Sequence, residues 1–103
     1  MPTTLNITED HLNLMHVIQR DKGASQRKIA KKTGISIGKI NYCLKALIDI
    51  GFVKIENFNN SSQKLKYTYI LTPKGIKEKT LITKKFIEFH KQEYNKLNSY
   101  ITQ

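Results

Sequence analysis

The sequence predicts a mainly α-helical fold carrying one small β-hairpin, and three observations predict it. Four stretches repeat apolar residues at helical spacing, each opened by Ser or Thr. Between the third and fourth, the pattern switches to strict alternation of apolar and polar residues. After Gly75 no glycine or proline interrupts the chain, so the last helix is expected to be long.

The first helix is expected from Thr8, an N-cap followed by Glu9 and Asp10, whose charge suits the positive end of the helix dipole. Leu12, Met15 and Ile18 supply its apolar stripe, widened by Leu14 and Val17, and Lys22-Gly23 ends it. Ser25 caps a shorter helix over residues 26–33, with Ile29 and Ala30 facing inward, and Gly34 breaks it. Ser36 then caps a third helix running to about Ile50. Its residues Ile40, Leu44, Leu47 and Ile48 fall on one buried face, and Gly51 stops it.

Val53 and Ile55 alternate with Lys54 and Glu56 in a first strand, and Leu65, Tyr67, Tyr69 and Leu71 alternate with polar residues in a second. Asn59 to Gln63 is a polar turn between them. Phe58 breaks the inward phase, so a bulge or early strand end is expected there. Thr72-Pro73 opens the fourth helix, which is expected to reach about Thr102 and span about 40 Å. Helix, helix, turn, helix, hairpin, helix is the layout of a winged helix-turn-helix with a long C-terminal helix. Residues 1–75 are expected to form that winged unit, and residues 76–103 the long helix beyond it.

Composition narrows the partner. The 103 residues hold 18 Lys and Arg against 8 Asp and Glu, a net charge of +10 that favours a polyanion. No apolar run approaches a membrane span. The N-terminus lacks the basic-then-apolar layout of a secretory signal, so a cytoplasmic, nucleoid-associated protein is expected. One cysteine, Cys43, excludes an internal disulfide and a multi-cysteine zinc site.

The function is carried by SQRKIAKKTGISIGKINYCLKALIDIG, residues 25–51. Gly34 permits a tight turn, Ile35 plugs the angle between two helices, and Ala30 lets them pack closely. The second helix of such a pair is the one that enters a major groove. With Ile40, Leu44, Leu47 and Ile48 inward, the opposite arc carries Gly38, Asn41, Tyr42, Lys45 and Asp49, with Lys39 on the flank. Asn pairs with adenine edges, Lys with guanine or phosphate, and Tyr with a base methyl or a phosphate. Gly38 leaves room for the backbone to approach the duplex. The expected major-groove set is therefore Ser36, Gly38, Lys39, Asn41, Tyr42 and Lys45. Ser25, Gln26 and Arg27, at a helix N-terminus, are expected on phosphates. They are joined there by a wing of Asn60, Ser61, Ser62, Lys64 and Lys66.

At this point the chain resembles a known family. The runs KINYCLKALIDIGFVKIENF and YILTPKG are similar to those of MarR-like winged-helix regulators associated with exopolysaccharide loci. That resemblance implies a transcriptional regulator of polysaccharide genes.

In the last helix Ile76, Thr80, Thr83, Ile87, His90, Tyr94, Leu97 and Ile101 step by four and three, a heptad-like seam beside a stripe of Ile82, Phe86 and Phe89. The later part has no remaining partner in so short a chain. Phe86, Ile87, His90, Tyr94, Leu97 and Ile101 are therefore expected to pair with a second copy. No carboxylate pair, metal-ligand spacing or phosphate-binding glycine loop is present, so neither an enzyme nor a cofactor or metal is expected. Cys43, at the edge of the inward arc, reads as a core residue. The sequence thus points to a homodimeric regulator of double-stranded DNA. A protein-interaction module and a nonspecific DNA-architectural protein are the alternatives.

Overall fold

Four hydroxyl side chains start the four helices. Thr8, Ser25, Ser36 and Thr72 have extended backbones, and each oxygen accepts a hydrogen bond from the amide three residues on, at 3.4, 3.2, 3.2 and 3.0 Å. The computed structural model describes residues 7–59 and 65–102. Its elements are α1 (Glu9–Arg20), α2 (Gln26–Thr33), α3 (Ile37–Asp49), β1 (Val53–Asn59), β2 (Leu65–Leu71) and α4 (Pro73–Ile101). The expected order is borne out: a winged helix-turn-helix continued by a long helix.

One core joins the first five elements, and Ile82 of α4 packs half-buried against it. Leu14, Met15 and Ile18 of α1 meet Ile29 of α2, Ile40, Cys43, Leu44 and Leu47 of α3, then Phe52, Val53, Tyr69 and Leu71 from the hairpin side. Leu14, Met15, Ile29, Ile40 and Leu47 are wholly buried. Truncating any of these to alanine costs about 2–5 kcal/mol, because both transfer energy and packing are lost.

The α2–α3 turn forms as the sequence implies. Gly34 takes the left-handed conformation (φ 74°). Thr33 steadies the corner: its hydroxyl donates to the Ile29 carbonyl (2.8 Å) and accepts from the Ile35 amide (3.2 Å). Ile35 packs half-buried against the core between the two helices.

The LTPKG run, residues 71–75, is a joint between the hairpin, α3 and α4. Leu71 is buried; the Thr72 hydroxyl donates to the Gly51 carbonyl (2.6 Å), and the Thr72 amide donates to the Phe52 carbonyl (3.0 Å). Lys74 donates to the Ile50 carbonyl (3.2 Å), at the C-terminus of α3, and its ammonium stands 5.7 Å from the Phe52 ring centre. Gly75 is buried directly against Phe52. A Cβ there would collide with the Phe52 carbonyl oxygen and lie 2.9 Å from the carbonyl carbon. Only glycine fits.

From this joint α4 runs antiparallel along α1. Lys79 donates to Gln19 (2.6 Å) and meets the His16 Nδ1 (2.9 Å), while His90 Nε2 reaches Glu9 Oε1 (2.7 Å) at the other end of α1. Tyr94 and Asn95 still line a groove with Leu12 of α1, and the protein extends over 65 Å in its longest direction.

Four expectations are corrected. The strands pair continuously from Val53↔Leu71 to Asn59↔Leu65, so no bulge or early end occurs at Phe58. Ile55 is 44% exposed, because α3 and α4 cover only the base of the hairpin. Thr68, expected on the outer face of β2, is buried. The stripe of α1 centres on His11, Leu14, Met15 and Ile18, with Leu12 and Val17 at its edges. His11 fits inside because its Nδ1 accepts from the Thr8 amide (3.0 Å) in a capping box. Burial pushes its imidazole below the usual range; neighbouring Asp10 opposes this and Lys39 adds to it.

Candidate nucleic-acid interface

The face of α3 opposite the core carries Gly38, Asn41, Tyr42, Lys45 and Asp49, all exposed. Tyr42 is 72% exposed, an aromatic side chain held in water on a rigid helix. Lys45 forms no ion pair among the described residues. Ile37, which the helical wheel did not single out, is 48% exposed one turn before Asn41. Its signal is apolarity at the first position of a helix whose core face starts only at Ile40. Gly38 has open space where a Cβ would sit, so no packing in this protein calls for glycine there.

Ser36 and Ser25 are exposed and spend one acceptor each on their own helices. Their hydroxyl protons remain available to an anion beside the free amides of the first turn. Lys39 is committed differently: its ammonium lies 2.7 Å from Asp10 on α1, and the hydrogen bond to that carboxylate raises its affinity for a proton. The pair braces the start of α3 against the start of α1.

Gln26 is likewise tied inward, donating to the Tyr69 hydroxyl of β2 (3.0 Å), so the first turn of α2 is fastened to the hairpin. Arg27 and Lys28 are exposed beside it. Lys32 is paired with Asp21 (3.1 Å), whose carboxyl the lysine holds below its usual range. The wing residues Asn60, Ser61, Ser62 and Lys64 lie outside the described residues. Lys66 stands on β2 opposite Phe58.

The candidate dimer residues divide. Phe86 is half-buried, and the His90 ring packs near Phe86 and Phe89 (centres 6.5 and 5.4 Å) while binding Glu9. Ile87, Phe89, Tyr94, Leu97, Tyr100 and Ile101 are each more than half exposed. Cys43 is buried, and burial pushes its thiol upward, away from reactivity. Among the described residues no three metal-ligating side chains converge, and no helix is long and apolar enough to cross a membrane.

Residues 11–54 match a family model described as winged helix-turn-helix DNA-binding. No curated protein matches the sequence. Among solved structures, a PadR-like transcriptional regulator from Bacillus cereus is similar at TM-score 0.72 and 15% identity, over 84% of this chain and 89% of that one. The transcriptional regulator SlyA matches at TM-score 0.66 and 20% identity, over 85% of this chain and 61% of its own. Bacillus subtilis PadR in complex with operator DNA matches at 0.60 and 18%, over 71% and 45%. At these identities the likeness is one of fold. Together with the family match from α1 into β1, it shows that the chain has the winged helix-turn-helix fold.

Proposed function

We propose that the protein is a sequence-specific, dimeric transcriptional regulator that binds double-stranded DNA through α3. One observation carries this: the outer face of α3 holds Asn41, Tyr42 and Lys45, together with a glycine that the fold itself does not require. Asn41 and Lys45 read base edges, Tyr42 contacts a base methyl or phosphate, and Ile37 adds an apolar contact for thymine. Ser25, Ser36, Arg27 and the wing hold phosphates. Lys39 and Gln26 act mainly as braces, which narrows the reading set. The operator complex of the similar PadR structure supports the assignment to DNA.

The second copy binds through α4. Its exposed apolar residues continue a groove of about 580 Å³ between the start of α1 and the middle of α4, lined by Leu12, Phe86, Ile87 and Tyr94. A groove of this kind suits an apolar helix, and monomers rarely leave so large an apolar face in water. MarR-like and PadR-like regulators both fit this layout. Control of exopolysaccharide genes rests on the likeness of residues 39–58 and 69–75 to that regulator group.

Selection from random DNA tests the proposal. An inverted repeat with half-sites about one helical turn apart is expected. A flat sequence preference would favour architectural binding instead. The aromatic end of α4 favours a second reading, a protein-docking module, and for that case no DNA would be enriched at all.

A further inference from the structure

Among the described side chains, Lys79 is the one lysine that is not exposed. It reaches from α4 to α1, and no described carboxylate pairs with it there. Its Nζ donates to the Gln19 side-chain oxygen (2.6 Å) and contacts the His16 Nδ1 (2.9 Å). Arg20, one turn after His16, forms no ion pair among the described residues. Burial, and then the charge of Arg20, make Lys79 release its proton more readily than an ordinary lysine. Burial, Lys79 and Arg20 also hold His16 below the usual imidazole range, so its Nδ1 is free to accept. A neutral amine has two hydrogens, one for each of these partners, and its lone pair stays free. Reagents can approach from two sides. Lys79 lines a cavity of about 330 Å³ with Ile76, Thr80 and Thr83. His16 and Arg20 line another of about 320 Å³; Asp21 lines it too, its carboxylate held by Lys32 at 3.1 Å.

We infer that Lys79 is an acylation site, modified directly by a small acyl phosphate, with His16 taking the proton and Arg20 holding the phosphate. The Lys79 lone pair forms the new C–N bond, and the acyl C–O bond breaks. Inorganic phosphate leaves with that electron pair, while the Nζ proton passes to His16 Nδ1 and on to solvent. A lysine desolvated beside a second cation is an activated amine, and Arg20 supplies that cation as well as the contact for the phosphate. The amide product is uncharged and keeps a single hydrogen, so one of the two links from Lys79 to α1 is lost. None of this depends on DNA binding.

Acetyl phosphate is the probe, beside N-acetoxysuccinimide, an acylating reagent that carries no phosphate. The full chain is treated with each, and the acetylation of single lysines is followed by peptide mass spectrometry. With acetyl phosphate, Lys79 is expected to react roughly tenfold faster than Lys77 and Lys84, which are exposed on the same helix. His16→Gln removes that lead with both reagents. Arg20→Gln removes most of it with acetyl phosphate and a smaller share with N-acetoxysuccinimide. Both changes are at exposed positions, so the fold persists, and urea midpoints check it. Lys79 reacting no faster than Lys77 and Lys84 overturns the inference, as does an undiminished lead in His16→Gln. Equal losses with the two reagents in Arg20→Gln overturn the assignment to acyl phosphates.

Discussion

Gly38 is the second residue of α3, on its exposed arc, and an added Cβ there meets no atom of the protein within 4 Å. Its backbone is not in the left-handed region that would favour glycine. Replacing it with alanine therefore removes backbone freedom from the unfolded chain without any clash in the folded one. Glycine in a helix interior costs about 0.5–1 kcal/mol relative to alanine, and a first-turn position takes the lower part of that range. A gain of about 0.5 kcal/mol raises Tm by roughly 2–4 °C in a domain of this size. The same methyl lies where the helix would face DNA. A methyl forced into a packed interface costs about 1–3 kcal/mol, or roughly five- to 150-fold in affinity. Urea denaturation and fluorescence anisotropy on one preparation read both quantities. Gly38→Ala is expected to be more stable and to bind DNA more weakly. A variant that is more stable with unchanged affinity would refute close approach at this position.

Other outcomes follow from the same geometry. Gly75→Ala forces a methyl into the Phe52 carbonyl and is expected to lower stability by about 3 kcal/mol or more, seen as a large drop in the urea midpoint. His11 is neutral in the fold, with a proton affinity below that of the unfolded chain, so the unfolded chain takes up the extra proton on acidification. Stability is then full above about pH 6.5 and declines as the pH falls below it. His11→Gln keeps a capping acceptor and should flatten part of that decline; His16, also lowered by burial and by Lys79, contributes in the same direction. An unchanged pH profile in His11→Gln would assign the decline elsewhere. Leu97→Glu is expected to turn a dimer into a monomer by light scattering at tens of micromolar, with folding intact. A wild-type monomer mass there would remove the α4 pairing.

Local chemistry made most of the fold legible. Thr8, Ser25, Ser36 and Thr72 mark helix starts by a rule that needs only neighbouring amides, and all four cap as expected. The outer arc of α3 follows from periodicity alone. What the sequence concealed depends on partners far along the chain. Lys39 stands 2.7 Å from Asp10 of α1, and Gln26 reaches the Tyr69 hydroxyl of β2 at 3.0 Å, contacts that neither local spacing nor periodicity reveals. Alternation likewise misassigned Ile55 and Thr68, because α1, α3 and α4 cover a short twisted hairpin unevenly. Gly75 was visible as part of a motif, yet its reason lies in the Phe52 backbone.

The most direct measurement of base reading by α3 compares wild type with Asn41→Ala and Tyr42→Ala on a selected operator and on unrelated duplex, at several salt concentrations. Phosphate contacts fix the salt slope, about −0.9 per phosphate neutralised, whereas base contacts fix the ratio of the two affinities. The expected result is a loss of about 1–3 kcal/mol on the operator, a much smaller loss on unrelated DNA, and a nearly unchanged salt slope. Equal losses on both duplexes, or none on either, would contradict base reading by α3.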